Sequence, residues 1–529
     1  MATTRAPAAS ATSTEKSFEE SHPKESGHPR AHAAPHDLLD VMEQGTVQVD
    51  EPKILGGWNV KLEKLFGVEA RGIERVLEAD KPPRATFADF VQIVLLWFSA
   101  NLTLNNLTIG LLGPLVFELG LTDAMLVGTF GTIAGTLGTA YQSTWGPVSG
   151  NRTMVVARYT MGWWPSKICV LLNMVIMLGY GLVDCLIAGQ LLSAVAGGSM
   201  SVIVGTIIAA VISLVVALFG IKLFHTYERY AFIPQILVLF ILIGVAGPYF
   251  NAGSATVGAG TSVAVADRVS FFFLAASAPL AWCPAASDYF VYFPKNCARS
   301  KVFGSTLLGL GLSSVIMVLI GVGLGSGALV KSDWTDAYDV SAGALIVQAL
   351  SPLGTFGHFC SVVLALGLIA NNIPGTYSAA LGFQLLGRWF RVIPRWIWVI
   401  VSVVIYTVCA CAGRNNLFNI FEDFLALMGY WTIMWCTMTL EEELIFRRKI
   451  GYNWDDWNVP SHLPIGIAAL IAFCIGWVGA VLCMYQVYFT GPIAKLVGYG
   501  IDLGFPVSAA WSGIFYPPLR YLELKHFKR

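Results

Sequence analysis

Long apolar runs separated by short polar stretches dominate the sequence from residue 88 to residue 516. A transmembrane helix needs about 20 mostly apolar residues to cross the hydrocarbon core of a bilayer. Twelve runs reach this length and predict an all-α membrane protein with twelve transmembrane helices. They lie at 88–113, 123–145, 167–193, 200–221, 230–248, 269–292, 302–326, 357–386, 392–411, 417–439, 463–486 and 495–516, the last interrupted by Asp502.

The composition supports the same class. Of the 529 residues, 55% are hydrophobic and 12% are charged, and the mean hydropathy is +0.65. Soluble domains carry about 25% charged residues, so a soluble enzyme is disfavoured. Lys plus Arg balance Asp plus Glu at 33 each, and nothing in this balance indicates a nucleic-acid partner.

Positive charge alternates between the loops and predicts the orientation. Short cytoplasmic loops are enriched in Lys and Arg. Alternate loops on one side carry Arg152, Arg158, Lys167, Lys222, Arg229, Lys295, Arg299, Lys301, Arg388, Arg391, Arg395, Arg447, Arg448 and Lys449. The loops between them carry Arg268, Lys331 and Arg414, with Lys495 at the border of the last run. This pattern predicts a multi-pass protein with both termini in the cytoplasm.

Two predicted helices contain residues that interrupt a helix at membrane depth. The first has Ser99 and Asn101 within a run of Ser, Asn and Thr, and the sixth has Pro279 and Pro284. Irregular backbone at this depth is tolerated where it is buried in protein or lines a cavity. Corresponding discontinuous helices in two inverted halves mark the substrate site of many secondary transporters. The alternative is that the prolines kink a packed helix and the amides bind its neighbours.

The five-helix interval between these two helices predicts the domain organisation. We expect a first five-helix repeat at 88–250, a second, inverted repeat at 251–440, and two additional transmembrane helices at 441–516. Residues 1–55, rich in Ala, Thr, Ser and Pro, are predicted to be a disordered cytoplasmic tail. Residues 56–87 are predicted to form a cytoplasmic amphipathic segment that lies on the membrane or acts in gating. Residues 517–529 are predicted to form a short cytoplasmic tail.

The third and eighth helices add polar residues to the candidate site. Tyr180 and Asp184 are four residues apart and share a face of the third helix. An acidic group at this depth is a candidate functional residue by default, although a paired structural carboxylate is the alternative. The eighth helix carries Asn371 and Asn372 before Pro374, which predicts a second polar, proline-broken segment or a bent packing helix.

Aromatic rings, amides and a carboxylate together suit a small, flat ligand that forms hydrogen bonds. Aromatic faces stack on a planar ring, and amide and carboxylate groups bind its edges. No catalytic triad, metal cluster or phosphate-binding loop is recognisable in the helices, so we expect no enzyme activity, no cofactor and no metal.

The chain resembles the fungal branch of the purine-cytosine permease family of nucleobase-cation symporters. The resemblance extends over most of the chain and is strongest in four motifs: Trp97-Phe-Ser-Ala-Asn101, Gly179-Tyr-Gly-Leu-Val-Asp-Cys-Leu-Ile-Ala-Gly-Gln190, Trp282 with Ser287-Asp-Tyr289, and Asn371-Asn-Ile-Pro374. It implies a LeuT-like core of five plus five helices in an inverted repeat, two extra helices, and proton-coupled import of cytosine, adenine, guanine or hypoxanthine across the plasma membrane.

The resemblance also assigns site residues. Ser99 and Asn101 match the polar positions of the family's broken first helix, and Trp282 matches its stacking tryptophan. The family typically has an aromatic residue and then an amide on the third helix, where this chain has Tyr180 and Asp184. On the eighth helix, Asn371 and Asn372 match the Asn pair of the family. The family often has a further Asn directly after the proline, and this chain has Gly375 at that position.

The two departures, at Asp184 and Gly375, fall on residues expected to bind the edge of the base. An Asp in place of an amide loses two donors and gains a group that can bind a proton. Similar fungal permeases transport pyridoxine, which is the alternative substrate. A nutrient receptor that does not transport, or a passive channel, is the alternative from a different class.

Proton coupling is favoured over sodium coupling. Sodium sites in related bacterial carriers use hydroxyl groups of the eighth helix, and 366–370 supplies none before Asn371. The candidate proton carriers are Asp184 and Asp288, followed by Glu422 and Asp423. The preferred base, the ion stoichiometry and the oligomeric state stay open.

Overall fold

The computed structural model of the chain describes residues 72–219 and 221–529, with the side chains of all these residues except 219–231 and 418–419. The predicted tail at 1–55 and the amphipathic segment up to residue 71 lie outside the described residues. Five α-helices lie between residues 87 and 156. They are α1 (Phe87–Asn101), α2 (Leu104–Leu115), α3 (Leu121–Ser143), α4 (Trp145–Ser149) and α5 (Thr153–Val156).

The remaining elements are also almost all helical. They are α6 (Arg158–Met161), α7 (Ser166–Val195), α8 (Val202–Phe219), α9 (Ile221–Ala246), α10 (Ser262–Leu280), α11 (Arg299–Ala328), α12 (Ser332–Val340), α13 (Ala342–Leu350), α14 (Thr355–Leu386), α15 (Arg388–Val392), α16 (Arg395–Gly413), α17 (Leu417–Glu441), α18 (Ile467–Cys483), α19 (Pro492–Val497) and α20 (Gly504–Phe527). Two short strands, β1 (Tyr485–Gln486) and β2 (Phe489–Thr490), form an antiparallel pair in which Tyr485 lies opposite Thr490.

Six described helices are long and apolar enough to cross a membrane, and the bent pair of α1 and α2 makes a seventh. The six are Ser166–Val195, Phe232–Tyr249, Ser262–Tyr289, Arg299–Ala328, Thr355–Leu386 and Arg395–Gly413. Shorter apolar helices lie at Val202–Leu218, Ala342–Leu353 and Ile467–Cys483. Length and apolarity therefore select fewer spans than the twelve predicted from the sequence.

The helices pack in two groups that meet at the candidate site. In one group α10 lies along α3, and α11 contacts α1, α2 and α3. In the other, α7 lies along α14, and both contact α8 and α16. The close approach of α3 and α10 depends on Gly135, because a Cβ there would collide with the carbonyl oxygen of Ala276. The groups meet where α14 contacts α1 and α7 contacts α2.

Three elements differ from the sequence prediction. The last long helix begins at Gly504 instead of residue 495 and continues to Phe527, so most of the predicted tail at 517–529 is helical. Gly498 and Gly500 have positive φ angles that end α19 before α20 begins. The eighth predicted span, α14, is a continuous helix through Pro374 and is not broken there. The region between α11 and α14 forms α12 and α13, which the sequence analysis did not predict.

Candidate functional site

The first predicted span is broken between α1 and α2, which meet at an angle of 55°. Leu102 and Thr103 separate the two helices. The Asn101 side chain donates to the Trp97 carbonyl at 3.0 Å, and the Asn106 side chain donates to the Asn101 carbonyl at 2.8 Å. Carbonyls at the end of a helix lack intrahelical donors. The side chains of Asn101, which was predicted to bind substrate, and of Asn106 therefore stabilise the break.

The sixth predicted span is interrupted where Trp282 lies. Helix α10 ends at Leu280, directly after Pro279, and a 3-10 turn follows over Cys283–Tyr289. Trp282 is buried between them. Both discontinuities expected from the polar and proline residues are thus present, and Ser99 lies buried in the last turn of α1.

Two aromatic rings face each other across the site. The Tyr180 ring of α7 lies nearly parallel to the Trp282 ring, with an interplanar angle of 15° and centroids 6.4 Å apart. The Trp97 ring contacts Trp282 edge-on at a centroid distance of 5.8 Å. A planar ligand between two aromatic faces needs about 7 Å, twice the carbon contact distance of about 3.5 Å. The centroid distance of 6.4 Å is shorter than this, so a ring enters only after α7 and the sixth span move apart.

A buried acceptor pair lies on the helices α7 and α14. The Asn371 side chain donates from Nδ2 to Asp184 Oδ2 at 2.9 Å. Asp184 is 1% exposed and Asn371 3% exposed. Among the described residues, Asp184 Oδ1 and Asn371 Oδ1 have no hydrogen-bond partner. Leaving buried polar atoms unpaired is costly, so these two oxygens are suited to accept hydrogen bonds from a ligand.

The neighbouring positions on α14 have different environments. The Asn372 side chain donates to Cys185 Sγ at 3.1 Å, so it holds α14 against α7. Gly375 faces Met177, and a Cβ on Gly375 would lie 3.8 Å from the Met177 carbonyl oxygen. A Cβ at this position would therefore meet no clash, so the missing side chain leaves room for a methyl-sized group one helical turn from Asn371.

Asp288 makes contacts that hold two chain segments together. Its Oδ1 accepts hydrogen bonds from the Thr153 backbone N–H at 2.7 Å and from the Thr153 hydroxyl at 3.0 Å. Ser287 donates from its backbone N–H to the same hydroxyl at 2.9 Å. Arg152 donates to the Asp288 carbonyl at 3.0 Å. These contacts fix the end of the 3-10 turn against the start of α5.

Replacing Asp288 with alanine is expected to destabilise the protein, because the buried Thr153 donors lose their acceptor. The cost is about 1–3 kcal/mol, measured as a lower midpoint of thermal unfolding in detergent. Asp288→Asn keeps an acceptor oxygen and is expected to unfold near the wild-type midpoint. A midpoint as low as that of Asp288→Ala would contradict this role of the acceptor.

The site includes residues that the sequence analysis did not assign to it. The Tyr180 ring lies beside the Trp282 ring, and Asn371 is hydrogen-bonded to Asp184. Trp97 belongs to a recognised motif but was not predicted to contact Trp282. Additional contributors are Tyr289, whose ring lies 5.0 Å from that of Trp97, and Met177, which faces Gly375. Met177 lies three residues before Tyr180 and seven before Asp184, so the helical periodicity of the third span already placed it on the same face.

Residues 81–491 match a family described as permease for cytosine/purines, uracil, thiamine, allantoin. The chain belongs to this permease family. Two relatives from Saccharomyces cerevisiae align over most of their length. The vitamin B6 transporter TPN1 is 32% identical over 93% of this chain and 96% of its own, and the purine-cytosine permease FCY2 is 34% identical over 89% of each.

A solved structure shares the fold of this family member. It is Mhp1, a nucleobase-cation-symport-1 family transporter in a closed conformation with bromovinylhydantoin bound. The TM-score is 0.62 at 14% identity, covering 84% of this chain and 95% of Mhp1. The family membership confirms the predicted purine-cytosine permease resemblance, and the chain is a membrane transporter and not an enzyme.

Proposed function

We propose that this permease imports nucleobases, namely cytosine and purines such as adenine, guanine and hypoxanthine, together with protons by alternating access. The observation that carries the proposal is the near-parallel pair of Tyr180 and Trp282 beside the buried Asp184–Asn371 acceptors. The rings stack on the base, and the acceptors bind its N–H groups. Ser99 and Asn101 line the site from the C-terminal end of α1, and Asn372 lines it from α14.

The architecture that accompanies this function has twelve transmembrane helices, ten of them in two inverted five-helix halves. Both termini lie in the cytoplasm, because the Lys- and Arg-rich loops favour that side. The plasma membrane is the location that the family resemblance implies. Alternating access then moves the group containing α1, α3, α10 and α11 against the group containing α7 and α14. An oligomer is compatible with this arrangement.

Protons are the favoured coupling ion, and Asp184 is the favoured carrier. Its carboxylate lies at the ligand site and has an unpaired oxygen within the described structure, whereas the Asp288 carboxylate is held by Thr153. A carboxylate that binds the ligand in one protonation state and releases it in the other couples the movement of the proton to the movement of the ligand. Sodium has less support, since residues 366–370 supply no hydroxyl group.

A second candidate substrate is pyridoxine, or another flat heterocycle with several donors. The specific observation is that Asp184 Oδ1 and Asn371 Oδ1 are both acceptors, so the ligand edge that meets them must present donors. Guanine offers adjacent N–H and NH₂ groups, and pyridoxine offers hydroxyl groups. Neutral cytosine and adenine place an acceptor nitrogen next to their amino group. The room at Gly375 suits a ring substituent, and a relative is a vitamin B6 transporter.

Uptake in cells that lack their own nucleobase and vitamin B6 carriers tests the proposal. Radiolabelled guanine, adenine, cytosine and pyridoxine are supplied with and without a protonophore. We expect accumulation above the outside concentration that the protonophore abolishes, and guanine is expected to compete better than adenine or cytosine.

The other outcomes separate the alternatives. Pyridoxine uptake that no nucleobase inhibits would favour the second candidate. Equilibration without accumulation would indicate a channel. Binding without uptake, by protein shown to reach the cell surface, would indicate a receptor.

A further inference from the structure

The segment at residues 73–81, which we call the latch, is fixed to α4 and the turn after it. The Val76 N–H donates to the Gly150 carbonyl at 2.8 Å. Gly150 has a φ of +65°, and a Cβ there would collide with the Val76 carbonyl oxygen. The Lys81 ammonium group donates to the Pro147 carbonyl at 3.0 Å, and its burial lowers the pKa of Lys81. These contacts are buried and anchor the latch.

The latch also makes contacts with three more distant connections of the chain. They are the ion pair of Glu74 with Arg391 of α15, the ion pair of Arg75 with Asp455, and the hydrogen bond from the Lys295 N–H to the Glu78 carboxylate at 3.2 Å. The side chains of Glu74 and Arg391 are 35% and 41% exposed, and that of Asp455 is 81% exposed. Arg75 is 16% exposed and also donates from Nε to the Ser149 carbonyl at 2.8 Å, so it stays with the anchor. Exposed ion pairs are individually weak. These contacts therefore separate more readily than the buried anchor.

The anchor leads directly toward the ligand site. Arg152, two residues after Gly150, donates to the Asp288 carbonyl at 3.0 Å and to the Tyr377 hydroxyl at 3.1 Å. Asp288 follows Trp282 in the interrupted sixth span, and Tyr377 lies two residues after Gly375 on α14. Arg152 therefore joins the two moving helix groups at the end where the latch lies.

We propose that the latch is a gate for the cytoplasmic end of the transporter, which opens when the Glu74–Arg391 and Arg75–Asp455 pairs separate. The proposal rests on the orientation given above, in which this end faces the cytoplasm. The buried anchor stays on α4 while the exposed pairs release α15 and the turn at Trp454–Asn458. Weakening the pairs shifts the population toward inward-open protein, and fewer molecules then present the site outside.

Charge reversal and charge exchange at the exposed pair test the latch in the full-length protein. Cys297 is half-buried beside Lys295 and reports on opening without any substrate. In inverted membrane vesicles, Glu74→Arg and Arg391→Glu are each expected to increase the rate of maleimide labelling of Cys297 at least threefold. The double variant, which restores the pair with exchanged charges, is expected to return to within twofold of the wild-type rate.

Two further variants keep the test decisive. Arg388→Glu makes the same charge change on α15, at a residue that contacts Trp389, and is expected to label at the wild-type rate. Glu74→Gln removes one exposed charge with little risk to folding and is expected to label faster. The proposal that the latch is a gate would be overturned if Cys297 of Glu74→Gln is labelled at the wild-type rate, or if the labelling rate of the double variant does not return toward that of the wild type.

Transport adds a second readout that keeps this proposal separate from the proposed function. Where labelled ligand is taken up, the latch variants are expected to raise the external KM several-fold, because the binding-competent fraction falls. If the wild type takes up no tested ligand, the substrate proposal fails, while the Cys297 labelling still decides the latch.

Discussion

Replacing Trp282 with alanine is expected to reduce ligand uptake roughly 10- to 100-fold. The Trp282 ring supplies one of the two aromatic faces, with the Tyr180 ring nearly parallel to it, and alanine removes both the stacking and the apolar contact with the ligand. Trp282→Phe keeps a face of smaller area and is expected to retain more uptake. Initial uptake rates, normalised to surface protein, check the prediction.

The control for this variant is the same substitution at an exposed tryptophan. Trp164 is 70% exposed, and Trp164→Ala is expected to leave uptake unchanged. Because Trp282 also packs against Trp97, the surface amount and thermal stability of Trp282→Ala must be measured with its uptake. Normal uptake in a correctly folded Trp282→Ala protein would remove Trp282 from the ligand site.

Replacing Asp184 with asparagine is expected to change both the substrate preference and the proton dependence. Asparagine can still accept the hydrogen bond from Asn371, so the helix contact is retained. It presents an amide to the ligand and cannot carry a proton at physiological pH. Loss of a hydrogen bond to a charged group costs about 1.5–3 kcal/mol, so uptake of donor-rich ligands is expected to fall about 10- to 100-fold.

The measurement compares uptake at an external pH of about 5 and about 7, with and without protonophore, for the wild type and the variant. Asp184→Asn is expected to lose the difference between the two conditions and to favour ligands with an acceptor beside a donor, such as adenine or cytosine. An unchanged substrate ranking together with unchanged proton dependence would show that Asp184 has a structural role.

Much of the site could be predicted because its residues violate the ordinary rules for lipid-embedded helices. Polar amides near residue 101 and prolines near residue 280 are unfavourable in an unbroken apolar helix. The chain bends by 55° at the first position, and at the second the α-helix gives way to a 3-10 turn. An Asp at residue 184 likewise requires a partner, and that partner is Asn371. Periodicity placed Tyr180 on the same face, beside Trp282.

Other features depend on contacts that local sequence does not encode. Pro374 removes one helix hydrogen bond, yet packing of α14 along α7 keeps the helix continuous. The hydrogen bonds of Asp288 come from Thr153, 135 residues away. The start of α20 depends on the Asp502 carboxylate, which accepts from the Gly504 N–H at 2.7 Å, while apolarity alone placed the helix too early.

The latch also lies beyond what hydrophobic pattern reveals. The sequence suggested an amphipathic segment with a membrane or gating role, and the described part of it, residues 72–87, pairs its charges with distant loops. Such pairs join residues 317 and 380 positions apart, and a single sequence contains no signal that connects them.

The most direct test of the account uses purified protein in liposomes with an imposed pH gradient and a radiolabelled ligand identified by the cell uptake experiment. The account predicts that an acidic exterior drives accumulation inside above the external concentration and that collapse of the gradient abolishes it. It also predicts that Trp282→Ala accumulates the ligand roughly 10- to 100-fold more slowly than the wild type. Accumulation that is equal with and without the gradient, or equal in Trp282→Ala and wild type, would contradict proton-coupled transport through this site.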